Sequence, residues 1–123
     1  MPARATVTLV TGASPAAREQ AVFARLSAPA TEGGHTAVIL EGLADASSPL
    51  EPHDRLSVAR IAGGCLCCAG NLVLRVTLNR LLRHHPDRVL IGMANSDHLD
   101  QLRSWLAAPP YDQLLELAPD VHA

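Results

Sequence analysis

The sequence predicts an α/β domain built on a mainly parallel sheet of four or five strands, with helices on both faces. Three observations lead there. Short apolar runs rich in β-branched residues recur at 5–10, 36–40 and 88–93, each bounded by turn residues, as strands buried on both faces require. Segments of helical period separate them, opened by Ser, Asn or Pro and closed by Pro. The first run also ends at Thr11-Gly12 and passes directly into a helix signal, the order of a β-α-β unit with a right-handed crossover.

The elements follow in order. Residues 5–10 form the first strand. Ser14-Pro15 supplies an N-cap and a proline at the first helical position, and Val22, Phe23 and Leu26 make the apolar stripe of the helix that Pro29 ends. Glu32-Gly33-Gly34 turns the chain into the second strand, 36–40. Residues 41–55 lack a period and read as a surface loop, of a length that is usually functional or mobile. Residues 56–61 alternate as a third, half-buried strand near an edge. Asn71 caps a second helix with Leu72, Val76, Leu81 and Leu82 on its apolar side, stopped by His84-His85-Pro86. Residues 88–93 are the fourth strand, and Ser96 or Asp97 caps a third helix carrying Leu99, Leu102 and Leu106. Residues 113–117 add one short strand or helical turn.

Composition narrows the function. The 123 residues suit one domain, 1–123, and the net charge of -2 is neither basic enough for nucleic acid nor acidic enough for disorder. Phe23, Trp105 and Tyr111 are the whole aromatic complement, so a platform for stacking bases is absent. All ten basic residues are arginine, and they are scattered. The chain opens without a basic segment followed by an apolar one, and no apolar run is long enough to span a bilayer. The reading is a cytoplasmic protein without a membrane partner.

The chemistry concentrates in Gly63-Gly64-Cys65-Leu66-Cys67-Cys68-Ala69-Gly70, which holds all three cysteines within four positions. Thiolates so spaced do not converge from a regular helix or strand, whereas a glycine-flanked turn brings them to one point. An odd, tightly packed set argues against a disulfide framework and for a soft metal ion. Zinc favours four donors, so three sulfurs call for one more from His, Glu, water or a second chain. Burial as small hydrophobes is the alternative. A redox pair, Cys65 with Cys67 or Cys67 with Cys68, is a further one. A Cys-His hydrolase finds no histidine tied to any of these sulfurs.

The order strand, glycine turn, helix, strand, long loop, strand, cysteine turn, helix, strand resembles the N-terminal half of the CobW-type P-loop GTPases, a family that includes metallochaperones and cobalamin-biosynthesis proteins. Gly64-Cys65-Leu66-Cys67-Cys68 matches its Gly-Cys-x-Cys-Cys hallmark residue for residue. Residues 87–91 stand where that family has its next buried strand, and 109–117 resemble the approach to the one after. The resemblance implies a shortened P-loop NTPase-like fold and a site for zinc or another thiophilic divalent metal on Cys65, Cys67 and Cys68. It also implies help from an acid after the second strand, Glu41 or Asp45. His98 matches a histidine of some relatives; His35 and His53 fall in loops, and His84 and His85 sit at a helix C-terminus, where a cation also suits the helix dipole.

The departures concern the nucleotide. A working P-loop reads Gly-x-x-x-x-Gly-Lys-Ser/Thr, with amides around the phosphates, lysine on the β and γ phosphates and the hydroxyl on magnesium. Here Gly12 is present, but Pro15 removes a donor, Ala17 replaces glycine, Arg18 replaces lysine and Glu19 replaces the hydroxyl. A carboxylate facing polyphosphate at about 4 Å, in an effective dielectric of about 20, costs about 4 kcal/mol per charge pair. The fourth strand also lacks a terminal Glu, and the guanine-reading Asn-Lys-x-Asp motif falls beyond residue 123. The expectation is therefore a metal-binding pseudo-GTPase that acts as a carrier or buffer, or serves a client metalloprotein. The rival readings are a GTPase that still uses GTP and magnesium through Arg18 and Glu19, and an inactive relative. That relative would lack the family's C-terminal portion and pair through an uncovered sheet edge with a homologue or a second copy.

Overall fold

The computed structural model describes residues 5–12, 14–27, 35–41, 56–61, 72–93, 99–109 and 111–122. They form β1 (Ala5–Thr11), α1 (Pro15–Ser27), β2 (Thr36–Glu41), β3 (Leu56–Ile61), α2 (Leu72–Leu82), β4 (Arg88–Met93), α3 (Leu99–Leu106), α4 (Tyr111–Leu114), β5 (Leu115–Leu117) and β6 (Val121–His122). The sheet order is β3-β2-β4-β1-β5, every pairing is parallel, and the two-residue β6 joins β1 beyond β5. This is the expected α/β fold, with one more short strand than the sequence suggests. The third strand lies at the edge, as its alternation indicates.

Alternation of side chains along the strands divides the core in two. Val10, Val38, Leu40, Leu56 and Leu90 face α1 and close around Val22. Val7, Leu9, Ile39, Val89 and Ile91 face the other way, under Leu74 and Leu78 of α2 and Leu102 and Leu106 of α3. Each such fully buried aliphatic side chain contributes about 1.5–3 kcal/mol, which is why continuous apolar runs become central strands. Gly92 has a packing reason in β4, since a Cβ there would come within 2.9 Å of Leu40 Cδ2 across the pair.

In two helices one residue of the expected apolar face turns outward. In α1, Val22 is buried and Leu26 half-buried as predicted, but Phe23 is exposed. In α2 Leu81 is buried and Leu82 half-buried as expected, the side chain of Leu72 lies outside the described residues, and Val76 is 61% exposed; among the described residues the buried ones are Leu74, Leu78 and Leu81, spaced i, i+4, i+7. Apolar residues occur nearly all round α2, so sequence period alone did not select the face; contact with the sheet did. Residues 113–117 divide between α4 and β5 instead of forming one element. Tyr111 anchors this region, donating from its hydroxyl to Asn79 Oδ1 at 2.7 Å and packing its ring 4.8 Å from Trp105.

Because the strands are parallel, β1 to β4 all end at one edge. The chain leaves β1 toward the α1 face and leaves β4 toward the face of α3. Those neighbours therefore straddle a topological switch point, where open α/β sheets place their ligand crevice.

Candidate metal centre at the carboxyl edge

Gly12 follows β1 directly, and Ser14 opens α1 as its N-cap. The Ser14 hydroxyl oxygen accepts from the Ala17 amide at 3.1 Å, and the Ser14 carbonyl accepts from the Arg18 amide at 3.1 Å. The helix therefore begins at Pro15, and both of these amides are already bonded where a phosphate cradle would need open donors.

Arg18 is 4% exposed. Its guanidinium donates from Nη1 to the Gly12 carbonyl at 2.8 Å and makes a longer 3.5 Å contact from Nη2 to the Glu41 carbonyl. Those carbonyls end β1 and β2, strands separated by β4, so the guanidinium ties together two strands that do not touch. Glu19, also buried, turns to β3. Arg60 donates from Nη2 to Glu19 Oε1 at 3.0 Å and from Nη1 to Oε2 at 3.3 Å, a two-pronged pair. The expected carboxylate facing polyphosphate is thus replaced by a carboxylate facing an arginine. The cause is register: position 60 lies on the α1 side of β3, as Leu56 does.

Glu41 is the last residue of β2, and its register partner is Ile61, the last residue of β3. The chain thus leaves β3 toward Cys65 from beside Glu41, and the two predicted sources of ligand start from adjacent strand ends. Cys65, Cys67, Cys68, Asp45, His53 and His98 lie outside the described residues. Among the described residues, no three His, Cys, Asp or Glu side chains converge on a point.

Three other histidines belong to the opposite edge. His35 precedes β2, with Nε2 2.8 Å from Ser57 Oγ, and His84 and His85 follow α2 on the approach to β4. His122, which sequence reasoning passed over, stands at the carboxyl edge instead. It pairs with Thr11 through β6, and its Nδ1 lies 2.8 Å from the Thr11 hydroxyl. No local signal marks it, since a two-residue strand is defined only by its partner. Among the described residues, no helix is long and apolar enough to cross a membrane.

No protein-family profile matches the chain, and no solved structure matches it. A stretch of 58 residues, 46% of the chain, is 43% identical to the zinc chaperone YeiR of Escherichia coli (strain K12). The match spans 18% of that protein's length. Over that stretch the chain is similar to a protein that carries zinc.

Proposed function

We propose that this chain is a CobW-like zinc-binding protein of the metallochaperone type, whose degenerate P-loop turn does not hydrolyse GTP. Cys65, Cys67 and Cys68 are the ligands, with Glu41 completing the set. The observation that carries the reading is the register that ends β3 beside Glu41, four residues before Cys65 in the sequence. The similarity to a zinc chaperone agrees with it, and three thiolates with a carboxylate make a donor set that suits zinc. Zinc takes cysteine as thiolate, so uptake releases protons and weakens as pH falls. Zinc here is cargo: the chain holds it through groups that must later yield to a client.

Against GTP hydrolysis stand the occupied amides of Ala17 and Arg18 and the Arg18 guanidinium turned onto the chain's own carbonyls. Glu19, where a magnesium hydroxyl belongs, is held by Arg60.

Metal analysis of the purified protein tests the first half. About one zinc per chain is expected, with loss of most of it in Cys67→Ser; a near-zero content in both proteins removes the reading. Titration with a fluorescent guanine nucleotide and magnesium tests the second half. No saturable binding is expected at micromolar concentrations, and a clear micromolar isotherm restores the GTPase alternative.

A further inference from the structure

Two adjacent charged side chains of α1 are buried for no purpose that the hydrophobic core requires. Arg18 reaches the end of β2 through the Glu41 carbonyl, and Glu19 reaches the end of β3 through Arg60, the residue before Ile61. We infer that Arg18 and the Glu19–Arg60 pair are positioning residues for the metal centre, fixing the two strand ends from which its ligands depart. This rests on the zinc reading above and adds residues that touch no metal.

The physical case begins with β3. Among the described residues it pairs only with β2 and no strand lies on its other side, and the ends of such edge strands fray most easily. Arg60 gives that end a second attachment, to a helix seated on the sheet by the fully buried Val22. Arg18 does the same for the end of β2, and its Gly12 bond fixes both to β1. A well-packed apolar pair would stabilise the fold as much as a buried ion pair or more, so bulk stability does not account for these charges. Directional bonds hold a position to a fraction of an ångström, which is what a thiolate and carboxylate set must have to meet one ion.

Cobalt(II), which reports thiolate ligation by its absorption, is the probe, with zinc as competitor. The wild-type chain is compared with Arg18→Met, Arg18→Lys and Glu19→Gln. Arg88→Met serves as control, because Arg88 is a partly buried arginine of the same sheet that bonds Thr36 Oγ1 at 2.8 Å and the Arg25 carbonyl at 3.1 Å at the other edge. Removing groups that orient metal ligands lowers affinity about 10- to 100-fold. That loss is expected in Arg18→Met and Glu19→Gln with cooperative melting retained, partial recovery in Arg18→Lys, and wild-type affinity in Arg88→Met. Should Arg18→Met fail to fold, Glu19→Gln, which keeps the shape of the side chain, decides. Affinities within twofold of wild type in both clamp variants overturn the inference alone, as does an equal loss in Arg88→Met. A wild-type chain that takes up no cobalt as thiolate overturns the zinc reading and the inference with it.

Discussion

The two ends of the sheet each spend an arginine on tying elements together, and they do so differently. At the amino edge, Arg88 bonds a threonine hydroxyl and the last turn of α1, and the Asp87 carboxylate accepts from the His35 amide at 3.0 Å. Arg25 and Asp87 are exposed and His35 half-buried, while the Thr36 hydroxyl, though buried, is neutral, and the arrangement closes the ends of strands and helices. At the carboxyl edge, Arg18 and Glu19 are almost wholly buried, and their partners are the residues where β1, β2 and β3 end. A buried charge is costly to leave unpaired and an exposed one is not, so the edges differ in what a single truncation does.

The largest difference should appear at Arg60. Arg60→Met takes from the buried Glu19 carboxylate both of its bonds to that guanidinium, and is expected to lower the unfolding free energy by about 3 kcal/mol, read from urea denaturation. At the amino edge Arg88→Met gives up one bond to the buried, neutral Thr36 hydroxyl and one to the exposed Arg25 carbonyl and leaves no buried charge unpaired, so about 1 kcal/mol is expected. Equal losses in the two variants would erase the distinction between the edges. A larger loss in Arg88→Met would reverse it.

That contrast also marks what the sequence could and could not carry. The strands were legible because burial on both faces demands apolar runs, and the cap at Ser14 because the residues that make it lie within four positions. The cysteine cluster stands out in the sequence for the same reason of locality, and its residues lie outside the described ones. Glu19 was visible as a misfit in a P-loop, but its partner lies 41 residues away, and nothing local distinguishes Arg60 from the other scattered arginines. The β6 pairing that brings His122 to Thr11 is hidden likewise. The exposure of Val76 and Phe23 was missed for another reason: where a helix carries apolar residues on several sides, only the surface it meets selects the buried one.

The smallest effect comes from backbone strain at the amino edge and carries the opposite sign. After α2 the amides of His84 and His85 bond the Leu81 and Leu82 carbonyls, and His85 adopts a φ of 52°, the left-handed conformation that glycine usually fills just past a helix. A side chain there costs about 1–2 kcal/mol, and glycine's greater freedom in the unfolded chain returns part of it. His85→Gly is therefore expected to raise stability by about 0.5 kcal/mol, whereas His84→Gly, one residue earlier and without that φ, is expected to lower it by about as much. If the amino edge only closes the fold, both variants bind cobalt as the wild type does. A fall in cobalt affinity in His85→Gly, despite a higher melting temperature, would mean that the two edges are coupled through the sheet, and the separation between a closing edge and a ligand-presenting edge would have to be given up.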